Sequence, residues 1–183
     1  MVKRYTLPPD YKIKTLLIRN EPQIKIIGEL AEEAFIRFGH YRDFISELVW
    51  KENVITSIIV NKRDDQDIIG FLVLGFFYED SDKIPKGLYA DILAIAIDEI
   101  YRNRGLGNQL LKWCLELIEN LCLAGDKVNC IKLTVAPDNQ NAVALFRKFG
   151  FEFEHEEIGE YATGVEAKYM FKDLNGLLEP FGN

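Results

Sequence analysis

Asp91-Ile92-Leu93-Ala94-Ile95-Ala96-Ile97 runs through Asp98-Glu99-Ile100-Tyr101 into Arg102-Asn103-Arg104-Gly105-Leu106-Gly107-Asn108. The first part reads as a strand, Leu88 to Ile97, that is apolar on both faces and so central in a sheet covered on both sides. Ala90, Ala94 and Ala96 give it one small face, against which another layer packs closely. The last part is a basic turn with two glycines. It opens the clearest helix of the chain, Gly105 to Asn120, with Leu106, Leu110, Cys114, Leu117, Ile118 and Leu121 as its apolar stripe. A strand, a basic glycine turn and a helix N-terminus together make an anion site. The first helical N–H groups have no intrahelical partner and the helix dipole is positive there. Glycine lets an anion approach the backbone closely, and Arg102 and Arg104 add forked donors.

The surrounding chain is that of one globular domain. It has 183 residues, 48% hydrophobic and 12% aromatic, enough for a real core. Residues 1–10 read as a lead-in, 11–174 as the domain and 175–183 as a tail. Strands are predicted at Tyr11 to Arg19, Val54 to Val60, Ile68 to Tyr78, Cys130 to Val135, Phe151 to Glu154 and Val165 to Phe171. Pro22 starts a helix that runs to about Phe38. Gly39-His40-Tyr41-Arg42-Asp43 breaks it before a short helix carrying Phe44, Ile45, Leu48 and Val49. Pro137-Asp138-Asn139 starts a last helix that stops at Gly150. The order β, α, α, three strands, α, β, α, β, β predicts a mixed, mostly antiparallel sheet with helices on both faces.

The net charge of −7 and a pI near 5 give no support for the large basic face of a duplex-binding protein, and no nucleic-acid partner is expected. Cys114, Cys122 and Cys130 lack a C-x-x-C pair and read as core residues. No apolar run approaches the ~20 residues of a membrane span, and no signal peptide is evident at Met1 to Pro9. A reduced, cytoplasmic protein is the expectation. His40 and His155 have no metal-ligand spacing, and His155 lies among glutamates on a solvated strand face. The aromatic content of the last strands gives a candidate homodimer edge.

Three nucleotide patterns compete for residues 102–108. The P-loop run G-x-x-x-x-G-K-[ST] is absent. The dinucleotide fingerprint fails because Leu110 stands where its third glycine belongs. The pattern [RQ]-x-x-G-x-[GA] is met by Arg102, Gly105 and Gly107, and it suits a pyrophosphate. On this stretch alone, a plain tight turn with two solvated arginines fits as well. A second stretch, Asn139-Gln140-Asn141-Ala142-Val143-Ala144-Leu145-Phe146-Arg147-Lys148-Phe149-Gly150-Phe151, follows one strand later. Together the two resemble the motifs A-V-D-x-x-Y-R-x-R-G-x-G and N-x-x-A-x-x-L-Y-x-K-x-G-F of the GNAT superfamily of acetyl-CoA-dependent N-acetyltransferases.

The resemblance implies a site residue by residue. Arg102, Asn103, Arg104, Gly105, Leu106, Gly107 and Asn108 would hold the pyrophosphate of acetyl-CoA. Ile95, Ala96 and Ile97 would carry the pantetheine arm, on a strand that splays from its neighbour. Asn139 and Ala142 would meet the arm, Phe146 the thiol end and Lys148 the cofactor. An amine would attack the thioester directly once a base takes its proton. Asp91 is the candidate base; a strand-start carboxylate that is merely solvated reads equally well. Phe146 departs from the family's frequent tyrosine and lacks a hydroxyl for the leaving thiolate. Tyr161 and Tyr89 are the candidate substitutes. Gly159 to Met170 resembles the G-Y-Y-x-x-G-x-D-A-x-x-M stretch of N-terminal protein acetyltransferases, with Glu160 and Glu166 departing from it. On that reading His40, Tyr41 and Tyr89 lie on the acceptor side. A small-amine acetyltransferase and a non-catalytic acetyl-CoA-binding module are the rival expectations.

Overall fold

The computed structural model describes residues 7–16, 20–79, 87–125 and 127–174, with the side chains of 79 and 155–158 outside that description. Strand β1 is Tyr11–Thr15, and helices α1 and α2 are Glu21–Phe35 and Arg42–Val49. Strands β2, β3 and β4 are Val54–Asn61, Ile68–Glu79 and Gly87–Ile97. A 3-10 turn at Glu99–Tyr101 leads into α3, Leu106–Leu123. Then come β5 (Val128–Val135), α4 (Gln140–Lys148), β6 (Glu152–Glu160) and β7 (Glu166–Asp173). The element order is the one the sequence predicts, with β6 longer than expected. The expected lead-in before Leu7 and the tail 175–183 lie outside the described residues.

Among the described residues the sheet has seven strands in the order β1-β2-β3-β4-β5-β7-β6. Every neighbouring pair is antiparallel except β4 with β5. That parallel pair needs a crossover, which α3 supplies. One core lies under α3 and α4 and includes Leu106, Leu110, Cys114, Leu133 and Phe146. The other lies under α1 and α2 and includes Ile27, Ile45, Ile58, Phe71 and Val73. Cys114 and Cys130 are buried, as a core reading requires.

One local feature overturns the expected small face of β4. Val73 pairs with Ala94 and Leu74 with Ile92, so Leu93 is an extra residue in the ladder. A β-bulge of this kind reverses the alternation beyond it. Ala90 and Ile92 therefore face the α3 core, whereas Ala94 and Ala96 face the α1–α2 core. The three alanines do not share a face, because period-two counting holds only for an unbroken ladder.

Helix α1 begins at Asn20, whose side chain accepts a hydrogen bond from the Gln23 N–H at 2.9 Å. It crosses α2 closely at Gly28. A Cβ there would stand 3.1 Å from the Arg42 carbonyl and closer still to the Ser46 hydroxyl. The helix pair forms the outer wall of the cleft described below.

Leu110 is fully buried on the core-facing side of α3, the helix that follows the glycine turn. Leu110→Ala is expected to cost about 2–5 kcal/mol, read from urea denaturation midpoints.

Candidate functional site

Strands β4 and β5 pair from Leu88 opposite Val128 to Ile92 opposite Leu133, and no further. Both strands continue past that point, β4 to Ile97 and β5 to Val135. The edge of β4 that faces β5 thus lacks a strand partner over its last residues. Its backbone donors and acceptors open into a cleft, where they are free to bond a ligand that carries amide groups.

At the far end of β4 the turn is built from local bonds. The Asp98 carboxylate accepts from the Ile100 N–H at 3.0 Å. Tyr101 is tied to β1 through a 3.2 Å hydroxyl contact with Tyr11. Arg102 Nε donates to the Ile97 carbonyl at 2.9 Å, and Arg104 donates to the Ile100 carbonyl at 3.0 Å. Gly105 precedes α3 with φ +79, a left-handed geometry that glycine adopts without strain. Gln109 is the first residue to bond back, to the Gly105 carbonyl. The N–H groups of Leu106, Gly107 and Asn108 therefore have no intrahelical partner and point out of the helix start.

Two connected clefts follow from this layout. The one at the turn, about 410 Å³, is lined by Ile95, Ala96, Ile97, Arg102, Asn103, Gly105, Leu106, Gly107, Asn108, Asn139, Ala142 and Phe146, among others. The other, about 290 Å³, lies where β4 and β5 part and is lined by Asp91, Tyr41 and Tyr161 with several aromatic rings. Ile95, Asn139, Ala142 and Phe146 line both, so the clefts form one channel. Asn139 caps α4 by accepting from the Ala142 N–H at 3.2 Å. Phe146 packs edge-on to Phe151, with centroids 5.8 Å apart. Lys148 lines neither cleft but reaches the Asn108 side chain at 2.5 Å, and Arg104 stands over the Tyr101 ring.

Asp91 is mostly buried, with part of its surface lining the inner cleft. Burial pushes its carboxyl up to about 6, while Lys132 on the neighbouring strand pulls the other way. Burial also raises Tyr161, to about 12, and raises Tyr41. Tyr161 packs against Phe38 in a tilted pair, with centroids 4.5 Å apart.

Four sequence candidates line neither cleft: Arg104 and Lys148 on the cofactor side, and His40 and Tyr89 on the acceptor side. The His40 side chain is 90% exposed and pairs with Glu32 at 2.7 Å. It sits on the outside of the loop whose inner side presents Tyr41. Tyr89 is buried against Phe77, with Lys132 Nζ 4.2 Å above its ring. Conversely, Phe35, Phe38, Phe44 and Thr134 line the inner cleft and were not singled out by sequence. The signal for the rings was present: aromatic residues recur every third position, at 35, 38, 41 and 44, across a helix break. Among the described residues no cluster of three potential metal ligands occurs, and the His155 side chain lies outside the description. No described helix is long and apolar enough to cross a membrane.

A mixed sheet with one diverging parallel pair, and a helix N-terminus at the end of the opened strand, defines a class of fold. The acetyltransferase (GNAT) family model matches residues 24–151, and the chain belongs to that family. The chain is 30% identical over 112 residues to the L-amino acid N-acetyltransferase AaaT of Escherichia coli (strain K12), covering 58% of this chain and 62% of that protein. It is 33% identical over 109 residues to the spermine/spermidine N(1)-acetyltransferase of Bacillus subtilis (strain 168), covering 59% and 64%. The chain thus spans less than two thirds of the length of these curated relatives. The structure of Arabidopsis thaliana NAA60 in complex with acetyl-CoA shares the fold, with a TM-score of 0.72 at 16% identity over 91% of this chain and 99% of that one.

The raised Asp91 has a measurable consequence. The native protein holds this proton more tightly than the unfolded chain, whose ordinary value is 3.8. The stabilisation from protonated Asp91 is therefore whole below pH 4 and is lost as pH rises through 6. Asp91→Asn removes that loss, so its stability relative to wild type should rise by roughly 3 kcal/mol between pH 4 and 7. Parallel denaturation curves across this range would contradict the burial of the carboxylate.

Proposed function

We propose that the chain is an acetyl-CoA-dependent N-acetyltransferase, acting by direct attack of a primary amine on the thioester in a ternary complex. The observation that carries this reading is the continuity of the channel. It runs from the N–H groups of Leu106 to Asn108, along the unpaired edge of β4, to the Asp91 carboxylate. In this reading residues 11–174 are the catalytic domain. The described cysteines are unpaired, which supports a reducing, cytoplasmic setting.

The pyrophosphate lies on the turn, held by the helix N-terminus, Arg102 and Arg104, with Asn103 at the bend. Lys148, bonded to Asn108, adds positive charge at the rim. The pantetheine arm follows Ile95, Ala96 and Ile97 as an added strand, with Asn139 and Ala142 on its other side. The thioester then rests by Phe146.

The acceptor arrives as an ammonium and must lose a proton before it attacks. Asp91, with a value of about 6, is ionised at neutral pH and close enough to the amine's needs to act as a base, directly or through water. The nitrogen lone pair forms the C–N bond as the carbonyl π pair moves to oxygen. Backbone N–H groups of β4 beyond the parting point hold that oxyanion. The nitrogen sheds its second proton to solvent, collapse breaks the C–S bond, and the thiolate leaves. The net change is ammonium plus acetyl-CoA to amide, coenzyme A thiol and one proton. Phe146 has no hydroxyl to offer the sulfur. Tyr161, held at about 12, keeps its proton at neutral pH and acts as a hydrogen-bond donor to the leaving sulfur. The sulfur then takes its proton from solvent or from Asp91.

The acceptor in this reading is the amine of a protein N-terminus or a lysine, supported by the resemblance of Gly159 to Met170 to N-terminal acetyltransferases. A small amine is the second reading, favoured by the names of the two curated relatives.

Thiol release from acetyl-CoA, followed with a panel of peptides and small amines, tests the proposal. Turnover on at least one amine is expected. Asp91→Asn should lower kcat/KM by about 10²-fold and remove the rise in rate near pH 6. Phe146→Tyr should raise kcat by supplying the missing donor. Tight acetyl-CoA binding with no turnover on any amine would make the chain a binding module instead.

A further inference from the structure

The inner cleft is unusually poor in charge for a site that receives a cation. Among the described residues Asp91 is the one carboxylate on its wall, and no described lysine or arginine lines it. The remaining wall is aromatic. The Tyr41 ring centroid lies 5.4 Å from that of Phe35 and 5.9 Å from that of Phe44, and Phe38 packs at a tilt against Tyr161 from the opposite loop. The raised Tyr41 and Tyr161 are what a poorly solvated wall does to a phenol.

This wall is held in place from three sides. The Glu32 carboxylate accepts from the Tyr41 N–H at 3.0 Å, from the Arg42 N–H at 3.1 Å, and pairs with His40. Thr163 donates to the Arg37 carbonyl at 2.9 Å, tying the α1–α2 loop to the β6–β7 loop. The Arg37 guanidinium pairs with Asp138, next to Asn139. The rings are thus anchored through the backbone that carries them.

Building on the acetyl-transfer reading, we propose that the acceptor is a primary amine on an apolar or aromatic body, with no second charge near the amine. A monoamine and a peptide that begins with a large apolar residue both present this chemistry. Ring faces attract one ammonium by roughly 0.5–2 kcal/mol, which draws in the reacting amine. The further ammonium groups of a polyamine would each lose water among phenylalanines without a carboxylate, at a penalty of several kcal/mol apiece. The carboxylate of a free amino acid would meet the Asp91 charge and find no cation on the wall. The apolar wall also favours the neutral amine, which is the form that attacks.

The test compares kcat/KM for phenylethylamine, a short peptide beginning with phenylalanine, spermidine and free phenylalanine, all by thiol release with the intact chain. Phenylethylamine, the peptide or both should exceed spermidine and free phenylalanine by about tenfold or more, and their ratio identifies the source of the amine. Phe44 is 52% exposed, so Phe44→Glu adds a second carboxylate at the mouth without opening the core. That variant should shift the preference toward spermidine by about tenfold. Spermidine or free phenylalanine matching the apolar amines would overturn the inference and leave acetyl transfer standing. A Phe44→Glu preference unchanged from wild type would also overturn it. No turnover with phenylethylamine or the peptide would overturn it, and turnover of another amine in the wider panel would still leave acetyl transfer standing.

Discussion

The site depends on two parallel strands that stop pairing before they end. Strands β4 and β5 separate after Ile92 and Leu133, and everything chemical in the cleft follows from that. Backbone polar groups in a folded protein need partners. A strand edge freed in the middle of a sheet is therefore a binding surface in its own right. The extra residue at Leu93 falls at the same place and turns the alternation of β4 around. Before the bulge, Asp91 faces the α1–α2 side; beyond it, Ala94 and Ala96 take that side and Ile95 packs on the α3 side. One strand thus presents a carboxylate at one end of the opening and a backbone track at the other.

The helices serve this opening. Helix α3 starts at the point where β4 ends, so its unpaired N–H groups face the same channel. Asn139 caps α4 with its side-chain oxygen and lines both halves of the channel. The α1–α2 loop closes the other side and is tied through Arg37 to Asp138, the residue before Asn139. The loop that meets the acceptor is thereby linked to the helix start that meets the cofactor arm.

Much of this was legible in the sequence because it is local. The glycine turn, the helix stripe from Leu106 and the Asn139 cap are each set by neighbours within a few residues. Twelve of the fourteen positions that the resemblance implies for the cofactor line the turn-end cleft together, and Arg104 and Lys148 do not. What escaped is long-range or depends on which way a loop faces. The bulge at Leu93 is a misfit between two strands, and no single-strand pattern reveals it. His40 and Tyr41 are adjacent, yet one points to solvent and the other into the cleft, a choice made by the Glu32 carboxylate on α1. Phe35 and Phe38 read as part of a helix face, and only the β6–β7 loop with Tyr161 shows that the same face continues into a cleft.

Amide hydrogen exchange with and without coenzyme A is the most direct measurement of the central claim, because it reads the freed edge of β4 itself. Protection is predicted to concentrate at Leu93 to Ile97 and at Leu106 to Asn108, with little change in the outer strand β6. Unchanged exchange at both segments in the presence of bound coenzyme A would contradict the account.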